Sequence, residues 1–195
     1  MYSELKMAKK DEKALTPLDE ITDGHAFQRI VAEYFRCLKK ESNGYSISDI
    51  HVEDSGIGPD DCCDILVEFF YEDVIDSHSN RWVVECKCHN KNIGEREIDG
   101  KNIEMILKQH NAIGYLLVCK HDASSFLKRR LSSLNKNGTN RYVVWNGHQF
   151  WHKCVEFKSL LKAFFPSYYN KYFIQNNDEQ RFNQITSELE ERRKK

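Results

Sequence analysis

Trp82-Val83-Val84-Glu85-Cys86-Lys87-Cys88 is the stretch whose alternation decides how this chain folds. A strand sends successive side chains to opposite faces, so Val83, Glu85 and Lys87 share one face and Trp82, Val84, Cys86 and Cys88 share the other. One face therefore projects an acid and an amine side by side, and the opposite face is apolar. Upstream, Cys-Asp-Ile-Leu-Val-Glu-Phe-Phe (63–70) reads as a second strand, with Asp64 in phase with Leu66 and Glu68 and with Cys63, Ile65, Val67 and Phe69 on its apolar face. Residues 73–80 read as a polar connection ahead of a strand beginning at Arg81. Pairing across that connection would bring Asp64 to the neighbourhood of Glu85, 21 positions later.

Converging carboxylates with an amine beside them suit a hard divalent cation and its water. Mg2+ takes oxygen ligands and keeps several waters, so Asp64, Glu85 and the Cys86 backbone carbonyl would make up the protein's share, with Mn2+ as a substitute. Such a cation withdraws charge from a phosphate and lowers the pKa of a bound water. Lys87 could orient that water or stabilise negative charge in the transition state.

The surrounding periodicities supply a frame. Phe27, Ile30, Val31, Tyr34, Phe35 and Leu38 recur at steps of three and four and predict a helix capped by Thr22 or Asp23. Tyr-Ser-Ile-Ser-Asp-Ile-His-Val-Glu (45–53) predicts a strand with an irregular middle, and the Gly- and Pro-bearing segment 54–61 predicts a turn. After the Glu85 strand, residues 95–111 take helical steps, Ile-Gly-Tyr-Leu-Leu-Val-Cys-Lys (113–120) reads as a strand covered on both faces, and 123–134 as a helix. Tyr142–Trp145 reads as a last strand, with Asn146-Gly147 as a hairpin-type turn, and 155–165 as a short helix before Pro166. This order predicts a three-layer α/β domain with a central mixed sheet of four or five strands. Residues 1–22 read as an N-terminal arm, 23–154 as the domain, and 155–195 as a C-terminal helical extension whose tail from Asp178 carries a narrow stripe of Phe182, Ile185 and Leu189.

Taken together, Pro59-Asp60 ahead of Asp64, Glu85-x-Lys87 on the next strand and an amphipathic helix in front resemble the PD-(D/E)xK nucleases. The segments at 24–35, 113–120 and 142–150 look like the Mrr-type restriction endonuclease branch, so the resemblance covers about residues 23–150. It implies a restriction-endonuclease-like fold, Mg2+-dependent cleavage of DNA phosphodiesters and a role against foreign or modified DNA. By the same resemblance Asp64, Glu85 and Lys87 match the catalytic positions, with Asp60 and Asp61 as nearby substitutes for the first. Many Mrr-type members have Gln where this chain has Glu85. Gln28 stands where the family's first helix often carries a Glu, and Glu33 is the replacement on offer.

Composition bounds the alternatives. With 195 residues, 40% hydrophobic, 12% aromatic and 30% charged, the chain has enough apolar material for a packed core. A net charge of -1 means that any nucleic-acid contact must use a local basic patch, and Lys128, Arg129 and Arg130 are the candidates. No run reaches membrane-span length and the N-terminus lacks an apolar leader, so the cytoplasm is the expected compartment. Of the seven Cys several lie within apolar runs, and disulfides are not expected. Cys62, Cys63, Cys86, Cys88 and His89 lack the usual C-x2-C knuckle, which argues against zinc. Neither a P-loop nor a G-x-G-x-x-G fingerprint occurs. Expected partners are DNA and either a second copy or a separate defence protein, because two-fold pairing is the natural route to a double-strand break. The alternative is a nuclease fold that binds nucleic acid or a protein without cutting. A salt-bridged sheet edge would explain Glu85 with Lys87, but it gives no reason for the acidic turn before Asp64.

Overall fold

A computed structural model describes residues 17–41, 47–54, 63–72, 74–98 and 102–175. Five strands form one sheet in the order β1-β2-β3-β4-β5: β1 (Ile47–Asp54), β2 (Ile65–Glu72), β3 (Ser77–Lys87), β4 (Gly114–Cys119) and β5 (Arg141–Trp145). The first three run antiparallel as a meander, whereas β3, β4 and β5 are parallel, so the sheet is mixed as expected. Parallel neighbours need crossovers, and these are helical. Helix α2 (Ile103–Gln109) links β3 to β4, and α3 (Ser125–Asn137) links β4 to β5.

One face of the sheet packs on α1 (Gly24–Glu41), α4 (Gly147–Cys154) and α5 (Lys158–Phe164), burying Phe27, Ile30, Val67, Val84, Leu116, Phe150 and Leu160. The other packs on α2 and α3, burying Val83, Tyr115, Leu117, Leu127 and Leu131. Every residue of β4 is buried, which is why its sequence is apolar without alternation. Asp23 caps α1, its carboxylate accepting from the amides of Ala26 and His25. The irregularity expected in this strand is a register shift between Ile47 and Asp49, at the start of β1.

Several expectations give way to tertiary contacts. Strand β3 starts at Ser77 rather than Arg81, because Ser79 and Arg81 both bond Glu68 and His78 stacks on Tyr71 of β2. Asn146-Gly147 is no hairpin turn. Asn146 and Gln149 form a reciprocal capping box that opens α4. Of the segment expected as an arm, residues 17–22 are described, and a 3-10 turn at Pro17–Glu20 buries Leu18 fully against the core. Likewise, Phe157, Leu160, Leu161 and Phe165 pack into the same cluster as α1, so this part of the expected extension belongs to the core. A short α6 (Pro166–Tyr169) and a π-helical turn at Asn170–Gln175 follow. The tail from Asp178 lies outside the described residues. Among the described residues, no helix is long and apolar enough to cross a membrane.

Candidate active site

The β2–β3 register builds the site. Ile65 pairs with Val84, so one step further out Asp64 meets the position of Glu85. Asp64 Oδ2 accepts the Cys86 amide at 2.6 Å, which pins the carboxylate against the end of β3. Glu85 is fully buried and sits on the face of Val83, as the alternation predicts. Its Oε1 lies 2.5 Å from Lys87 Nζ, whose side chain keeps 19% of its surface exposed. Burial alone would lower the Lys87 pKa, yet the charge and hydrogen bond of Glu85, with the charge of Asp64, hold it above the usual lysine value. The ammonium is therefore a fixed positive charge near neutral pH.

Helix α1 reaches this cluster through Gln28, which is 8% exposed. Its Nε2 donates to Asp54 Oδ1 at 2.6 Å and to the Asp64 carbonyl at 2.8 Å. The amide thus stands where a family carboxylate is expected and ties a further carboxylate, Asp54 at the end of β1, to the site. Sequence reasoning missed Asp54. Its pairing with Ile65, which places it beside Asp64, is visible only in the structure. Lys120, also missed, is almost fully buried just past β4 and donates to the Ile21 carbonyl at 2.6 Å and Asn90 Oδ1 at 2.7 Å. Its own amide donates to the Lys87 carbonyl at 2.9 Å, extending the β3–β4 pairing to the end of β3.

Other candidates lie elsewhere. Glu33 sits five residues beyond Gln28, about 140° round the helix, and pairs with Arg36 at 3.5 Å. It does not join the cluster. Asp60 and Asp61 lie outside the described residues. The basic patch on α3 is largely neutralised: Lys128 pairs with Asp122 at 2.7 Å, Arg130 pairs with Glu95, and Arg129 bonds the Ser125 carbonyl at 3.3 Å. Cys63 is not on the apolar face of β2. It precedes the strand, so strand alternation does not govern it, and it packs under the α2–α3 side with Val83 while Cys86 and Cys88 pack toward α1.

The donor set is one of hard oxygens, two carboxylates and a strand carbonyl, which fits Mg2+ or Mn2+ better than a thiophilic metal. Among the described residues, no three His, Cys, Asp or Glu side chains cluster tightly enough to hold a metal by themselves. Water would have to complete the coordination of a cation here, as Mg2+ chemistry favours. An apolar cavity of about 330 Å³, lined by residues such as Phe35, Phe69 and Trp145, lies on the α1 face of the sheet, opposite the Glu85 side chain.

No protein-family model matches this sequence, and no curated protein matches it. Among solved structures the chain is similar to the DNA modification-dependent restriction endonuclease AspBHI, with a TM-score of 0.43 and 11% identity over 85% of this chain and 43% of that one. It is also similar to the MspJI restriction endonuclease in complex with a 27-mer oligonucleotide, with a TM-score of 0.44 and 13% identity over 70% of this chain and 29% of that one. The chain spans less than half the length of either neighbour. Among the described residues this chain itself is an α/β domain, a five-stranded mixed sheet covered on both faces.

Proposed function

We propose that this protein is a metal-dependent DNA endonuclease of the PD-(D/E)xK type, Mrr-like in its motifs, acting in restriction of foreign or modified DNA. The observation that carries this reading is the β2–β3 register, which brings Asp64 to the level of Glu85 with Lys87 held 2.5 Å from Glu85. Asp64, Glu85 and the Cys86 carbonyl would hold Mg2+, or Mn2+ in its place. When bound, such a cation supplies Lewis-acid activation of a phosphodiester and of a water.

The chain's own residues do the rest. Asp64 is oriented by the Cys86 amide, and Gln28 fixes the Asp64 backbone through its carbonyl, so the carboxylate's position is set in advance. Glu85 is shielded from solvent by the α2–α3 layer, which strengthens its electrostatic interactions. Lys87, charged near neutral pH, donates to an attacking water or to a phosphate oxygen as negative charge builds there.

Plasmid DNA, unmodified and base-modified, incubated with Mg2+ or Mn2+ tests the reading. Asp64→Asn, Glu85→Gln and Lys87→Met should each slow cleavage by more than about a hundredfold, the scale set by loss of one pre-oriented electrostatic group. Asp64→Asn is preferred to Ala because it leaves an oxygen for the Cys86 amide. Full cleavage by these variants, or undiminished cleavage in excess EDTA, would refute it. DNA binding without cleavage in either metal would favour a non-cutting nucleic-acid module. Double-strand cutting further calls for two copies of the chain or a partner defence protein, and light scattering at working concentration tests the dimer.

A further inference from the structure

Tyr115 is the second residue of β4 and is 0% exposed. Its hydroxyl is buried and hydrogen-bonds to nothing among the described residues. A phenylalanine would fill the same space among Val83, Leu117, Leu127 and Leu131 without that cost, since an unsatisfied buried hydroxyl costs about 1–3 kcal/mol. Such a group calls for an explanation.

Register supplies one. Tyr115 pairs with Val83, and Glu85 follows two residues along the same face of β3. Diagonal neighbours of this kind lie about 7–8 Å apart at the backbone, within reach of an aromatic side chain. The phenol therefore rises beside the carboxylate on the side away from β2 and Asp64. A phenol is protonated at neutral pH, so it is available as a donor. Carboxylates that hold metals are themselves hydrogen-bonded by outer groups.

We propose that Tyr115 is a positioning residue: its hydroxyl donates to the Glu85 carboxylate when a divalent cation occupies the Asp64–Glu85 site, fixing the orientation in which Glu85 faces the cation. This rests on the metal-site reading above. Lys87 pairs with Glu85, and the Tyr115 hydroxyl is left without a partner among the described residues, at an energetic cost.

Tyr115→Phe removes one oxygen and little else, and the full-length variant is compared with wild type by thermal unfolding and Mn2+ titration. Without metal the variant should melt at the same temperature as wild type or higher. Its apparent Mn2+ affinity should fall about tenfold, in line with other outer-shell substitutions, and the stabilisation by Mn2+ should shrink accordingly. A metal-free variant that melts clearly lower would mean that the hydroxyl already has a structural partner, and would overturn the proposal. Equal Mn2+ affinity of variant and wild type would overturn the role of Tyr115 alone. A wild type that gains no stability from Mn2+ would instead overturn the metal-site reading, and the Tyr115 role with it.

Discussion

Gly147→Ala is expected to destabilise this protein even though alanine is the better helix former. Gly147 is the first residue of α4, where its amide donates to the His121 carbonyl at 2.6 Å. A Cβ built there would stand 1.8 Å from the Lys120 carbonyl oxygen and 2.8 Å from its carbon. An ordinary contact needs about 3.4 Å, so the start of α4 and the end of β4 must part by more than an ångström, and both sides of the clash are backbone. Helix propensity would favour Ala by up to about 1 kcal/mol. Against it stand overpacking, about 1–3 kcal/mol, and a weakened backbone hydrogen bond, about 1 kcal/mol. The Asn146–Gln149 capping box next door adds about 1 kcal/mol if it opens. The net loss is about 2–4 kcal/mol, which for a chain of this size lowers Tm by about 5–15 °C. Differential scanning calorimetry reads it, with Gly24→Ala as control because nothing lies within 4 Å of a Cβ there. A Gly147→Ala protein that melts at or above the wild-type temperature would refute the reasoning. Because the Lys120 amide bonds the Lys87 carbonyl, the displaced strand end should also weaken Mn2+ binding at the candidate site.

Two further outcomes are expected from the electrostatics. Glu68 is held below the usual carboxylate pKa by hydrogen bonds from Ser79 and Arg81, so it contributes stability that is present above the unfolded value near 4.5 and is lost as pH falls through the folded value. Glu68→Gln should therefore flatten the acid limb of a stability-versus-pH curve, and an unchanged limb would count against that pairing. Burial pushes the Cys63 and Cys119 thiols up to about 12, so both should resist alkylation at pH 8 in the native state and react on unfolding. Rapid native labelling at either position, read by mass spectrometry, would contradict their packing under α2 and α3.

Local period determined much of this protein from sequence alone. The two-residue alternation around Glu85 put acid and amine on one face, and the steps of three and four from Phe27 to Leu38 set the buried side of α1. Both are properties of neighbouring residues and survive whatever the rest of the chain does. The apolar run of β4 likewise announced a strand covered on both faces. What only the tertiary structure decided involves partners far apart in sequence. Gln28 met Asp54 and the Asp64 carbonyl because α1 docks over the β1–β2 end of the sheet. The basic run at Lys128 to Arg130 was paired off by Asp122 and Glu95, which no spacing rule connects to it. Cys63 fell on the unexpected face because alternation holds only inside a strand, and β2 begins two residues later. Tyr115 looked like one more apolar residue of a buried strand. Only the β3–β4 register, fixed by side chains packed between two helical layers, revealed that it pairs with Val83, two residues before the buried Glu85 on the same face.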